Sequence, residues 1–251
     1  MSVSLHRDGA AAHLVIDRPD KRNAMTLAMW QAIPALADEA AADRSVRVLV
    51  VRAAAPGPFC SGADLGEILS HKDDPAWLTE SQTAINRTQR AIARLELPTI
   101  AFVEGDAIGG GCGLAVACDL RVATPAARFA VTPAKLGLIY PLHDVKLLVD
   151  LIGPGQAKRL MYTGAIIDAA EALRIGLVEA VAESPEALLD GVLAVSPFSI
   201  RETKRFIRRV AEGQSEDDDA TWAMFAGAFE GADFREGVGA FLAKRKAEFG
   251  R

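Results

Sequence analysis

Three consecutive glycines, Gly109, Gly110 and Gly111, lie between an apolar run that opens at Thr99 and a second apolar run that begins at Cys112. Glycines at a strand-to-helix turn let a ligand approach bare backbone. The helix that follows aims free N–H groups and the positive end of its dipole at that ligand. A developing negative charge, such as an enolate or a thioester oxygen, would be stabilised there by backbone donors alone. A second segment complements the first. Phe59-Cys60-Ser61-Gly62-Ala63-Asp64-Leu65 also leaves a strand and leads toward a helix. Ala63 is small and follows a glycine, so its N–H can be presented to the same ligand. Two donors from two strand ends would make an oxyanion hole.

The elements that must carry these turns are legible around them. Residues 3–7 and 12–17 read as a hairpin about Asp8-Gly9. Thr26 suits the N-cap of a helix to about Ala42, with Pro34 predicting a kink or a short first turn. The Val-Leu-Val-Val of residues 48–51 predicts a buried strand within 46–52. Pro75 opens an amphipathic helix to about Leu95, closed before Pro98. Strands are expected at 99–104, 120–123 and 128–131, with the glycine turn and a buried helix among them. Beyond about residue 140 the pattern turns helical, over 144–152, 154–163, 169–175, 185–194, 197–211, 215–229 and 233–249, with a short strand at 178–181.

Composition bounds the rest. The 251 residues suit one large domain or a domain with a small appendage, and 50% are hydrophobic, enough for a full core. A net charge of −5 argues against nucleic acid as a main partner. No run of eighteen apolar residues suggests a membrane span, and the N-terminus has no signal-peptide pattern. Cys60, Cys112 and Cys118 lack the pairing of a metal site and read as reduced thiols of a cytoplasmic protein, with packing as their role.

With both turns in order, the chain resembles the crotonase superfamily, also called the enoyl-CoA hydratase/isomerase family. The resemblance begins at Ile16-Asp17-Arg18-Pro19-Asp20-Lys21-Arg22-Asn23-Ala24-Met25 and ends at Glu236-Gly237-Val238-Gly239-Ala240-Phe241-Leu242-Ala243-Lys244-Arg245-Lys246. It implies an α/β fold: a crotonase (ClpP/crotonase-like) spiral of ββα units over residues 1–195, followed by a C-terminal helical segment over 196–251. In the family that segment packs between subunits of trimers, often paired as hexamers. The resemblance implies a lyase or isomerase of acyl-CoA and fatty acid metabolism, with no tightly bound cofactor and coenzyme A arriving as part of the thioester. It makes the N–H groups of Ala63 and Gly110 the two donors. It places Arg22, Ala24, Ala63, Asp64, Leu65, Gly109, Gly110, Phe241 and Lys244 around substrate and CoA. Phe241 and Lys244 would reach the CoA of a neighbouring subunit, pairing cation with phosphate and ring with adenine. By residue type alone, Lys244, Arg245 and Lys246 are equally solvated cations at a helix end.

One departure from the family matters most. Its hydratases handle water with two glutamates. Here the first position is Gly113, and the second is Pro133, or Ala134 with a one-residue shift. Hydration is therefore in doubt. The segment Thr132-Pro133-Ala134-Lys135-Leu136-Gly137-Leu138-Ile139-Tyr140 resembles the subset that includes methylmalonyl-CoA decarboxylase, whose matching tyrosine lies at the active site. Tyr140 could donate a hydrogen bond to a substrate carboxylate or supply a proton; it could equally be a buried tyrosine with a satisfied hydroxyl. Decarboxylation needs no base, because loss of CO₂ itself generates the enolate.

His143 and Asp144 remain open as relocated acid–base groups, although Asp144 also suits the N-cap of a helix over 145–152. Asp64 and Asp119 read as structural, and His6, His13 and His71 have no visible partner. The favoured function is an acyl-CoA enzyme that stabilises a thioester enolate, decarboxylase-like or isomerase-like. The alternatives are a hydratase using other acid–base residues and a non-catalytic acyl-CoA binder. Ser61 lacks a histidine motif to serve as its base, which disfavours a ClpP-like protease.

Overall fold

The computed structural model describes residues 2–250. The chain opens with the antiparallel hairpin β1 (Val3–Asp8) and β2 (Ala11–Ile16). Helix α1 (Leu27–Ala42) follows, with the Thr26 hydroxyl accepting from the Met29 N–H. It continues through Pro34 to Ala42 as one helix, so no short first turn ends at the proline. Strand β3 (Val48–Ala53) begins two residues later than expected. Val48 and Val50 face one apolar cluster and Leu49 and Val51 the other. That is the period-two consequence of a strand covered on both faces.

Next come α2 (Leu65–Ser70), α3 (Pro75–Arg94), β4 (Thr99–Val103), β5 (Asp106–Ile108), α4 (Gly110–Ala117), β6 (Leu120–Ala123) and β7 (Arg128–Ala130). Helix α5 spans Leu142–Thr163 with a break at Gly153, which takes φ +73° and divides it as the sequence predicts. Then β8 (Ile167–Asp168), α6 (Ala169–Arg174), β9 (Ala180–Val181), α7 (Glu186–Leu193), α8 (Pro197–Ala211), α9 (Asp219–Ala228) and α10 (Ala232–Leu242) complete the chain.

The last two helices are shorter than expected. Asp218 and Thr221 form a reciprocal cap that starts α9 late. Beyond α10, Lys244 turns left-handed at φ +52° and ends regular structure.

Two sheets result. One orders β1-β2-β3-β4-β6-β9 and is parallel after the first pair. The other orders β5-β7-β8. Arg121, 2% exposed, ties β6 to the segment before β9. It donates to Leu177 O at 2.8 Å and Cys118 O at 2.7 Å and pairs with Glu179. Asp119 is structural, as predicted: it accepts from Thr99 N at 2.8 Å and from Lys204 at 2.6 Å. His6 and His71 do have partners, a Ser4 hydroxyl at 2.8 Å and the stacked Trp77 ring. In the sequence they looked isolated because both contacts lie within six residues of surface chain.

Candidate active site

Two backbone turns meet at the ends of β3 and β5. The first is pinned on both sides. Cys60 N donates to Asp106 O at 3.0 Å, and Ile108 N to Cys60 O at 2.9 Å. Met25 N then donates to Gly62 O at 2.8 Å, and Asp64 N to Met25 O at 2.9 Å. A trans peptide points its carbonyl and its N–H in opposite directions. With Gly62 O turned to Met25, the Ala63 N–H points the other way, and it has no acceptor among the described residues.

The second turn is built alike. Gly109 takes φ +55°, a conformation that favours glycine, and its N–H donates to Ala130 O at 2.8 Å. Gly109 O accepts from Gly113 N at 3.0 Å and from the Tyr140 hydroxyl at 2.6 Å. The Gly110 N–H, in the same peptide as Gly109 O, is the first orphan donor of α4 and also lacks an acceptor among the described residues. The two turns touch: a Cβ on Gly62 would lie 3.2 Å from Gly110 N. Beneath them Trp30 is fully buried, and its Nε1–H has no partner among the described residues.

Asp64 is committed to holding the first turn. It caps α2, accepting from Gly66 N at 2.9 Å and Glu67 N at 3.2 Å, and pairs with Arg18 at 2.6 Å. The Arg18 guanidinium holds its carboxyl below the usual range, with the helix N–H groups adding to the effect. Arg18 also donates to Ala24 O at 2.9 Å, so Ala24 is fixed to the same cluster. Leu65 stands half exposed just beyond. Arg22 pairs with Asp106, which Arg128 also holds at 2.7 Å. Phe241, 81% exposed, and Lys244 stand at the end of α10, and no hydrogen bond or ion pair joins them to the glycine turn among the described residues. Burial pushes the thiols of Cys60, Cys112 and Cys118 up to about 12, which leaves them protonated and inert.

Behind the glycine turn lies a small cleft lined by Cys112, Gly113, Val116, Val131, Tyr140, Asp144, Leu147 and Leu148. A Cβ on Gly113 would collide with the Gln89 carboxamide and stand 3.0 Å from the Tyr140 oxygen. The space a larger residue 113 would use is thus already filled, by Gln89 from α3 and by Tyr140. Pro133 and Ala134 sit in a short 3-10 turn and carry no ionisable group.

Asp144 does not cap its helix. That helix starts two residues earlier, at Leu142, so Asp144 falls in its first turn. Asp144 is 2% exposed and turned inward to the Gln89 carboxamide, which, with its NH₂ oriented toward the acid as the surrounding donors and acceptors require, donates to Oδ2 at 2.7 Å. No cation pairs with it among the described residues. Desolvation raises its pKa to about 7, and the Gln89 bond lowers it in part. His143 is half-buried, and its Nε2 has no partner among the described residues. Gln89 carries no signal in the sequence: one polar residue in an amphipathic helix looks like surface.

Fold and turns define the class, a two-sheet α/β protein of the crotonase type. The comparisons then give the family. The enoyl-CoA hydratase/isomerase family model matches residues 7–251, and the chain belongs to that family. It is 34% identical to the crotonyl-CoA hydratase of Syntrophomonas wolfei, over 99% of this chain and 97% of that one. It is 31% identical to the short-chain-enoyl-CoA hydratase of Clostridium acetobutylicum, over 98% and 97%. Among solved structures, an enoyl-CoA hydratase/carnithine racemase from Magnetospirillum magneticum superposes with a TM-score of 0.93 at 28% identity, covering 99% of this chain and 95% of that one.

Proposed function

We propose that this acyl-CoA enzyme forms and reprotonates a thioester enolate, with the oxygen held by the N–H groups of Ala63 and Gly110. One observation carries the reading. Both donors are left without acceptors, while the carbonyl of each same peptide is anchored on the opposite side, at Gly62 O and Gly109 O. Donors fixed in this way need no reorganisation when charge develops, which is the condition for effective electrostatic stabilisation.

The reaction favoured is proton transfer at carbon, as in isomerisation of an enoyl thioester, rather than addition of water. A hydratase needs a second acid–base group to activate water, and neither Gly113 nor Pro133 supplies one. Decarboxylation is the second reading, supported by the acid-poor turn. Against it, the single Tyr140 proton is already given to Gly109 O, so it is not free for a substrate carboxylate. Phe241 and Lys244 would hold CoA across a subunit boundary, with residues 196–251 supplying the contacts between subunits.

The test is a panel of 2-enoyl-, 3-enoyl- and malonyl-type CoA thioesters followed by mass spectrometry and NMR. Interconversion of 3-enoyl and 2-enoyl thioesters is expected, with crotonyl-CoA hydration slow. Replacing Gly110 by Pro removes one donor and is expected to raise the barrier by about 2.7–4 kcal/mol. Vigorous hydration would favour a hydratase with other acid–base groups. Binding without turnover across the panel would favour a non-catalytic binder.

A further inference from the structure

Resting on that reading, we infer that Asp144, positioned by Gln89, is the group that carries the proton to and from the substrate carbon. The argument starts from placement. Three helices meet behind the glycine turn. Gln89 comes from α3, Gly113 from α4 and Asp144 from α5. Gly113 and Asp144 line a cleft with Cys112, Val116, Val131, Tyr140, Leu147 and Leu148, and Gln89 packs against both of them from behind. Asp144 is the one carboxyl in that lining.

A buried carboxyl without a cation is an expensive packing element, because an apolar side chain of similar size would avoid its desolvation. Its hydrogen-bond partner among the described residues is the Gln89 amide, which can hydrogen-bond both the ionised and the protonated acid without neutralising either. That suits a group that must pass between the two forms. The absence of a side chain at Gly113 also matters. A larger residue there would stand between α3 and the glycine turn, against the Gln89 carboxamide. Glycine leaves room for Gln89, and Gln89 meets Asp144.

The proton balance is simple. Ionised Asp144 takes a proton from the carbon next to the thioester carbonyl, and the electron pair of that C–H bond passes into the carbonyl as the enolate. Return of the same proton to the same carbon is exchange. Its return two carbons along, in a dienolate, is isomerisation. No second reactant is consumed, and the carboxylate is regenerated. The raised pKa places both forms of the acid near neutral pH, which general acid–base catalysis favours. The groups facing Asp144 are Gln89 from α3, Cys112 from α4 and Tyr140 from the preceding loop. The thiol and the phenol are both held protonated by burial, so neither titrates in the same range.

The experiment is exchange of α-protons into D₂O with acetyl-, propionyl- and butyryl-CoA, read by NMR, with CoA binding measured in parallel. The wild-type rate is expected to rise with pH through a single break near 7. Asp144→Asn is expected to lower exchange on the order of 10²–10⁴-fold with CoA binding retained. Gln89→Leu removes the bond that favours the ionised acid, so its break should move to higher pH. A merely structural role for Gln89 would not move it. Exchange by Asp144→Asn at the wild-type rate, or a wild-type profile without a break near neutrality, overturns the inference and leaves the enolate reading standing. No exchange by the wild type with any of the three thioesters overturns that reading and the inference with it.

Discussion

At Gly113 the lack of a side chain leaves the room behind the glycine turn that Gln89 and Tyr140 fill. Gly113 is the position that the family resemblance matches to a hydratase glutamate. The sequence does not show that this room is occupied. Gln89 fills it from another helix, and that contact depends on how α3 lies over α4, which no local pattern encodes. For the same reason Asp144 is ambiguous as text. A short polar residue near a helix start reads as a cap, and only the true start at Leu142 turns it inward. The prediction at this scale is that Gly113→Glu will not restore a hydratase. Its Cβ already collides with the Gln89 carboxamide. Overpacking of this kind costs about 1–3 kcal/mol. Thermal unfolding should show a lower Tm, and crotonyl-CoA hydration should stay slow. A variant as stable as the wild type that hydrates rapidly would show that the site accepts the glutamate after all.

The two turns of the candidate site depend on elements that hold peptide planes rather than side chains. The sequence reveals the turns through their glycines and the flanking strands through their apolar runs. It cannot reveal which way a peptide faces, because that is set by partners remote in the chain. For one turn the partner is Met25; for the other it is Tyr140, at the end of the loop before α5. The Tyr140 hydroxyl, read from its motif as a donor to substrate, donates here to Gly109 O, in the peptide that carries the Gly110 N–H. Tyr140→Phe should lose a net hydrogen bond of about 0.5–1.5 kcal/mol and loosen that peptide. The expected result is a modest fall in Tm and a kcat several-fold lower, with KM little changed. The fall should be alike for every thioester turned over, because the donor serves the carbonyl common to all of them. A loss confined to malonyl-type substrates would instead mean that the phenol contacts a substrate carboxylate.

The single chain leaves a large apolar surface open to water at its C-terminal end. Trp222 and Phe225 on α9 and Phe229 at its C-cap run edge to face into Phe234 on α10, with centroid separations of 5.9, 5.4 and 5.3 Å. Each of the four is 43–58% exposed, and Phe241 and Leu242 beyond them are 81% and 74% exposed. The sequence shows these helices as merely amphipathic, since an outward apolar stripe and an inward one have the same periodicity. A contiguous exposed aromatic patch of this kind marks a surface meant to be covered. Its partner is expected to be further copies of the chain, as a trimer or hexamer, with Phe241 and Lys244 completing a neighbour's CoA site. Sedimentation equilibrium should therefore give three or six times the 26.6 kDa chain mass. Phe225→Asp, which places a charge in the middle of the aromatic row, should shift the mass toward the monomer. It should also raise KM for acyl-CoA more than it lowers kcat if Phe241 and Lys244 grip a neighbour's CoA, because the proposed donors, Ala63 and Gly110, belong to one chain. A fully active monomer of the unaltered chain would assign the aromatic row to some other partner and return Phe241 and Lys244 to the status of solvent-facing residues.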